Sequence, residues 1–146
     1  MSQLGLSEFA DNVGVLMPVI MKEFLRRQTG DFYKTRITMP QLFVLEVLNR
    51  QGESKMSDIA DFLDVSTAAI TGIVDRLVRS GYLVRTNDPH DRRIVRVRLT
   101  SKGISAVRDA MERRKQVTIK IFGAISQEER EEYLKILTHI AEHLKD

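Results

Sequence analysis

Apolar residues recur at three- and four-residue spacing along much of this 146-residue chain, a period that predicts helices with one buried face. The pattern predicts helices from Ser7 to about Gly30, from Thr38, from Ser101 to Gly123, and from Ser126. Thr38 and Ser126 are each followed three residues later by Gln or Glu, the capping-box spacing of a helix start. Pro18 lies inside the first pattern and predicts a kink, because its ring removes one backbone donor.

Two shorter helices are predicted between Ser57 and Gly81. Ala60 is small enough to let them approach closely, and Asp64-Val65-Ser66 predicts the turn, because Asp tolerates a left-handed backbone and Ser is a favoured N-cap. The apolar residues expected to face inward are Ile59, Leu63, Val65, Ile70, Ile73, Val74 and Leu77. The outward face of the second helix is mostly short: Thr67, Ala68, Thr71, Gly72, Asp75 and Arg76.

A β-hairpin is predicted directly after this helix pair. Tyr82–Thr86 and Ile94–Leu99 are rich in β-branched and aromatic residues, and segment 87–91 between them is typical of a turn. Seven arginines and two aspartates lie within positions 76–98, a local charge of +5 in a chain whose net charge is +3. A stiff ribbon tipped with Arg92-Arg93 favours contact with nucleic-acid phosphates and a narrow groove.

From Ser57 to Gly103 the sequence resembles the winged helix-turn-helix core of the MarR family of bacterial transcription regulators. The matching elements are Asp58-Ile59-Ala60, Ser66-x-x-x-Ile70-Thr71, Val74-x-x-Leu77, Gly81-Tyr82-Leu83 and Asp91-x-Arg93-x-x-x-Val97-x-Leu99-Thr100-x-x-Gly103. The resemblance implies a mostly α-helical single domain with a small β-hairpin wing. In that domain about 38–100 forms the DNA-binding lobe, and about 1–37 and 101–146 supply dimerisation helices. The implied function is a ligand-responsive transcription regulator, expected to be a repressor, that binds double-stranded DNA as a homodimer on a near-palindromic operator.

Short side chains allow a helix to lie deep in a major groove. The residues expected to face base edges there are Ser66, Thr67, Ala68 and Thr71. We expect Arg76 near the phosphates, together with the backbone amides where helices begin at Thr38 and Ser57. In the family pattern a wing arginine enters the minor groove: Arg93 matches it, Asp91 steadies its guanidinium group, and the adjacent Arg92 is expected to meet a phosphate.

The terminal helices carry more apolar surface than a small core needs, which is typical of an obligate dimer interface. The candidate interface residues are Met17, Met21, Ile119, Ile121, Phe122, Ile125, Leu134, Leu137 and Leu144. The alternative is that all of them pack within one chain; the resemblance favours the dimer.

Composition excludes several classes of protein. The chain has no cysteine, so it has no disulfide, no thiolate metal site and no thiol nucleophile. No apolar run approaches a membrane span, and the N-terminus lacks a basic region followed by a long apolar one, so we expect a cytoplasmic protein with no membrane partner. No phosphate loop, nucleophile–base pair or acid dyad is placed by a motif, and we therefore expect neither an enzyme nor a cofactor.

Two alternatives to a ligand-responsive regulator remain open. His139 and His143 have the four-residue spacing of two ligands on one helix face, but zinc sites want three or four ligands, so surface histidines are favoured over a zinc-responsive regulator. A winged-helix module docking an acidic protein partner through its arginines is the other alternative. Such docking would not require the short residues on the second helix of the pair.

The ligand-binding residues stay unassigned. Proteins of the resembled family commonly bind small aromatic or anionic molecules between the dimerisation helices and the DNA-binding lobe. The segments expected to line that region are Val13–Phe24, Phe32-Tyr33, Gln41–Leu48 and the early part of Ser101–Met111. The cations that can pair with a carboxylate there are Arg26, Arg27, Lys34 and Arg36, although surface placement is favoured for each.

Overall fold

The structure, a computed structural model, describes residues 3–35 and 37–145, and their side chains except those of 29–35. Its elements are α1 (Leu6–Thr35), α2 (Met39–Gln51), β1 (Ser54–Lys55), α3 (Met56–Phe62), α4 (Thr67–Arg79), β2 (Leu83–Asn87), β3 (Val95–Leu99), α5 (Ser101–Phe122) and α6 (Gln127–His143). The predicted architecture, mostly helical with a small β wing after a helix-turn-helix, is confirmed. Within the described ranges, no helix has the length and apolar content needed to cross a membrane.

Contacts divide the chain into two compact units. One is Thr29–Glu112, and the other combines Met1–Gln28 with Arg113–Asp146. The boundaries fall within α1 and α5, outside the limits of about 38 and 100 expected for the lobe. The single-domain organisation stays a prediction.

Both predicted capping boxes are present. The Thr38 N–H donates to Gln41 Oε1 at 3.0 Å and the Gln41 N–H donates to Thr38 Oγ1 at 3.4 Å. At the start of α6 the Ser126 N–H donates to Glu129 Oε2 at 2.8 Å, and the Glu129 N–H returns a bond to Ser126 Oγ at 3.2 Å. Each box satisfies two amides that a helix start otherwise leaves open. Pro18 lies inside α1, which continues on both sides of it; the predicted kink stays a prediction.

The core of the Thr29–Glu112 unit lies where α2, α3, α4 and the sheet meet. Its largest fully buried side chains are Leu45, Leu48, Ile59, Ile70, Leu77, Leu83, Val44, Val74, Val97 and Val107. Ala60 is 2% exposed, and the backbone of Asp64 is left-handed with φ 51°, both as predicted. The prediction that Val65 faces inward is wrong, since its side chain is 43% exposed. Val65 directly follows the left-handed Asp64 in the turn between α3 and α4, and there its side chain points outward.

The wing is a three-stranded sheet in the order β1-β3-β2, with both pairs antiparallel. In the register, Arg85 lies opposite Val97 and Thr86 lies opposite Arg96. The hairpin strands each begin one residue later than predicted, at Leu83 and Val95. Strand β1 is an addition to the prediction, because two residues are too few to produce a period.

The wing is tied to α5 through the Thr-x-x-Gly element at positions 100–103. Thr100 donates its N–H to the Tyr82 carbonyl at 3.1 Å and its hydroxyl to the Gly81 carbonyl at 2.6 Å. The Gly103 N–H donates to Thr100 Oγ1 at 3.1 Å. A Cβ on Gly103 would collide with the Tyr82 carbonyl oxygen. Glycine is therefore required at position 103 for close packing of α5 against the end of the wing.

The other unit holds the described parts of α1, α5 and α6 that lie within it. The rings of Phe24 and Phe122 are 6.2 Å apart between centroids, and those of Phe122 and Tyr133 are 5.2 Å apart and stacked. No described residue of α6 is buried. The apolar side chains of this unit that stay exposed in the single chain include Leu16, Met17, Met21, Ile119, Leu134, Leu137, Ile140 and Leu144.

We expect Gly103→Ala to destabilise the protein by about 1–3 kcal/mol, the usual cost of forcing a methyl group into a packed site. Gly72→Ala is the matched control, since Gly72 lies in α4 with nothing within 4 Å of an added Cβ. Alanine there should stabilise by up to about 1 kcal/mol through helix propensity. Chemical unfolding of the two variants measures both changes in the free energy of unfolding. A Gly103→Ala protein as stable as Gly72→Ala would contradict the assigned collision.

Candidate nucleic-acid interface

Helix α4 is anchored from one side and open on the other. Ile70, Val74 and Leu77 are at most 1% exposed and fix its inner face. The Ala69 N–H donates to Ser66 Oγ at 3.1 Å, so Ser66 caps the helix as predicted. The outer face is exposed at Thr67, Ala68, Thr71, Gly72 and Arg76, while Asp75 is half-buried. The result is a rigid helix whose short side chains face solvent.

The tip of the wing contains the predicted contact between Asp91 and Arg93. The carboxylate oxygen Oδ1 of Asp91 accepts the Arg93 backbone N–H at 3.0 Å and the Arg93 Nε–H at 3.4 Å. The Arg93 side chain is nevertheless 93% exposed. Asp91 therefore orients the arginine while leaving its guanidinium group open to a partner.

Asp88 organises the turn of the wing, a role that its sequence position did not reveal. It is 7% exposed and accepts the His90 N–H at 2.8 Å, the Asp91 N–H at 3.3 Å and the Arg96 Nε–H at 2.8 Å. These donors, the His90 amide first and then Arg96, hold the pKa of Asp88 below its usual value. Arg96 is thereby committed to the wing itself.

An open groove of about 600 Å³ lies between the start of α3, α4 and the wing. Its lining residues are Lys55, Met56, Ser57, Thr67, Thr71, Asp75, Arg85, Arg93, Ile94 and Val95. The lining includes the Thr67–Thr71–Asp75 stripe of α4 and, on the wing, Arg85 and Arg93. An ion pair between Asp75 and Arg85 spans the two elements. The groove thus joins the short-sided helix face to the wing tip.

The residues predicted to meet phosphates lie at different helix positions. Thr38 caps α2, but its capping box uses the amides of Thr38 and Gln41. Helix α3 begins at Met56, after the N-cap Lys55, and thus starts before Ser57. Ser57 is the second residue of this helix. Lys55 also lines the groove and is a candidate contact that sequence reasoning missed, since strand β1 was not foreseen.

The arginines of the basic segment divide into two groups. Arg85, Arg93 and Arg96 form ion pairs with Asp75, Asp91 and Asp88 respectively. Among the described residues, no ion pair is formed by Arg76, Arg79, Arg92 or Arg98, and all four are exposed. The second group is the one with charge available for phosphates.

Other predicted sites are not assembled into a binding site. Arg26 and Arg27 are exposed on α1, as predicted, and pair with Glu23 at 2.5 and 3.2 Å. Arg26 first, and then Arg27, lower the pKa of Glu23 to about 2. His139 and His143 are exposed on α6, and the described residues contain no group of three or more His, Cys, Asp or Glu that could hold a metal ion. Four of the positions predicted near a ligand lie outside the described residues: the side chains of Phe32, Tyr33 and Lys34, and Arg36.

Known transcription regulators are similar to this chain in sequence. Residues 37–95 match the MarR family. The chain is 35% identical over 119 residues to the HTH-type transcriptional regulator YfiV of Bacillus subtilis, covering 80% of this chain and 74% of YfiV. It is 32% identical over 96 residues to the HTH-type transcriptional repressor MdtR of the same organism, covering 66% of this chain and 62% of MdtR.

Solved structures share the whole fold. A MarR family protein from Bacillus stearothermophilus superposes with a TM-score of 0.84 at 22% identity, covering 97% of this chain and 99% of that one. A MarR variant from E. coli complexed with operator DNA superposes with a TM-score of 0.71 at 21% identity, covering 93% and 98%. The chain belongs to the MarR family of helix-turn-helix transcriptional regulators, which are not enzymes.

We expect Asp88→Ala to loosen the wing turn, because the amides of His90 and Asp91 lose their acceptor. Hydrogen exchange across residues 88–94 should accelerate, and the free energy of unfolding should fall. Since the pKa of Asp88 is lowered in the folded protein, its contribution is fully present above the unfolded pKa of about 4 and is lost as the pH falls through the lower, folded value. The stability difference between the two proteins should therefore shrink below about pH 4.

Asp88→Asn is the matched control for charge. Its amide oxygen can still accept the two backbone N–H groups, but it carries no charge for Arg96 and does not titrate. It should protect residues 88–94 better than alanine does. Equal rates of hydrogen exchange in wild type and Asp88→Ala would show that Asp88 does not order the turn.

Proposed function

We propose that the protein is a transcriptional repressor that binds a near-palindromic operator as a homodimer and responds to a small-molecule effector. The observation that carries the DNA-binding part is the pairing of a capped, short-sided α4 with an ordered wing whose Arg93 is oriented by Asp91 yet exposed. The relative MdtR, named as a repressor, supports the direction of regulation. The E. coli MarR complex with operator DNA, which shares the fold, supports the partner.

In this proposal α4 enters the major groove. Ser66, Thr67, Ala68 and Thr71 face base edges, where hydroxyl and methyl groups of this size can contact bases without holding the helix away. Arg76 continues the exposed face toward the phosphates. The protein groove beside α4 would receive the DNA backbone that lies between the major groove and the adjacent minor groove. Lys55 would lie near the phosphates of that backbone.

The wing completes the contact in the minor groove. Narrow A·T-rich minor grooves concentrate negative potential, so an inserted arginine reads groove shape rather than base identity. Arg93 is assigned this position, and Arg92 is assigned a neighbouring phosphate. Arg96 is left out of the DNA-contact set because Asp88 already holds it.

The dimer part of the proposal is supported by the exposed apolar side chains of α1, α5 and α6. Exposed apolar surface on terminal elements is typical of a face that a second subunit covers. Two copies related by a two-fold axis would present two α4 helices about one helical turn apart, which implies an operator of roughly 15–25 base pairs. The effector is part of the proposal because regulators of this family commonly bind small aromatic or anionic molecules.

We expect Arg93→Ala to weaken operator binding by about 1–3 kcal/mol and to lower the slope of log K against log salt by about one. Asp91→Ala should also weaken binding, although it removes a negative charge from the DNA-facing side, because the Arg93 guanidinium loses its orientation. Fluorescence anisotropy over a salt series, on a duplex selected from random DNA by the wild-type protein, measures both effects. Arg98→Ala is the control for loss of a charge from the wing.

Two outcomes would count against this assignment. Tighter binding by Asp91→Ala at every salt concentration would mean that Asp91 acts only as a repelling charge. Binding of heparin and random duplexes with no preferred sequence would favour the alternative of a basic module that docks acidic partners.

We expect Leu137→Glu to break the dimer, because it puts a charge into the proposed interface on α6. His139→Glu is the control: it adds a carboxylate two residues along the same helix, on the opposite side. Light scattering at micromolar concentration should give a monomer for the first variant and a dimer for the second, with operator affinity falling only for the first. A wild-type protein that is monomeric and binds the operator with full affinity would overturn the proposed assembly.

A further inference from the structure

One ion pair connects α4 directly to the wing. Asp75 lies on the groove-facing stripe of α4, and Arg85 lies on β2 opposite the buried Val97, on the side of the sheet that faces the helices. Arg85 Nη2 donates to Asp75 Oδ1 across the groove. Both residues belong to the Thr29–Glu112 unit.

We propose that Asp75 is a positioning residue for DNA binding, which acts by holding Arg85 and thereby fixing the wing relative to α4. This inference rests on the proposed function, in which α4 and the wing tip engage two adjacent grooves of one duplex. It assigns Arg85 to the protein's own geometry and not to a phosphate.

Two different constraints act on the wing, and only one of them sets its angle. Asp88 binds Arg96 and the turn amides, so it shapes the tip relative to the strands. It does nothing to hold the strands against α4. The buried Leu83, paired with Leu99, anchors the base of the hairpin. Arg85 lies two residues beyond Leu83 toward the tip, at the level of the buried Val97 of β3. A small rotation about that base is magnified at Arg93, so a restraint placed beyond the base limits the displacement of the tip.

Simple electrostatics predicts the opposite sign for the loss of Asp75. Removing a carboxylate beside a DNA-facing helix reduces repulsion and should tighten binding to any duplex. Removing a positioning residue should weaken binding to the selected operator, because α4 and the wing no longer meet their two grooves together. The operator and a scrambled duplex of the same length therefore distinguish the two effects.

The experiment compares four variants of the full-length protein. Asp75→Ala and Arg85→Asp each break the pair, and the double variant Asp75→Arg with Arg85→Asp restores it in reverse at the wild-type net charge. Asp61→Ala is the matched control, since it removes one carboxylate from the same unit at an exposed position of α3. Anisotropy gives Kd on the two duplexes, and hydrogen exchange of the free protein follows β2 and β3.

We expect Asp75→Ala to raise the Kd for the operator about two- to fivefold. The effect is limited because an exposed ion pair contributes little free energy. Binding to the scrambled duplex should stay equal or improve, as it should for Asp61→Ala on both duplexes. Exchange in β2 and β3 should accelerate in Asp75→Ala while the unfolding midpoint changes little. The reversed pair should bind the operator more tightly than Arg85→Asp alone and recover the protection of the strands.

Operator binding by Asp75→Ala as tight as or tighter than wild type, or a reversed pair no better than Arg85→Asp, would overturn the positioning role. A wild-type protein with no preference for any duplex would instead overturn the proposed function. The hydrogen-exchange arm needs no DNA. Unchanged protection of β2 and β3 in Asp75→Ala would therefore reject the restraint by itself.

Discussion

Burial of one face of α4 is the interaction on which the interface depends. Ile70, Val74 and Leu77 are inserted among the side chains of α2, α3 and the sheet, and together they leave almost no apolar surface of this face in water. A helix that is anchored so completely has only its opposite face free. The side chains of that face take no part in the core, so short residues such as Thr71 and Gly72 can occupy it at a cost limited to helix propensity.

A high density of arginine creates the second constraint, since seven like charges within a short segment repel one another and favour an extended, mobile hairpin. Three aspartates counteract this repulsion at three places in the structure. Asp91 orients one exposed side chain, Asp88 closes the turn and takes up Arg96, and Asp75 joins the hairpin to α4 through Arg85. The segment keeps its excess of positive charge, while the aspartates give that charge a fixed geometry.

Sequence reasoning reached those features whose causes are local. The two capping boxes, the left-handed Asp64 and the Asp91–Arg93 contact each involve residues within three positions of one another. It missed features that depend on the fold. Strand β1 has two residues and exists only because β3 passes beside it, and Asp88 and Asp75 find their arginines eight and ten positions away through strand register and helix packing. The fold was therefore largely predictable, whereas the internal bracing of the site was not.

The terminal helices have the opposite problem from α4, because their apolar residues have too little to pack against within one chain. Every described residue of α6 leaves substantial surface in water. Leu134 on this helix is 65% exposed, and Leu144 just after its end is 81% exposed. Apolar area of this kind lowers the free energy only when a partner covers it. In the proposed dimer, the surface that stabilises the terminal helices would also set the distance between the two α4 helices. Formation of the dimer would then serve both the stability of these helices and the spacing of the two DNA contacts.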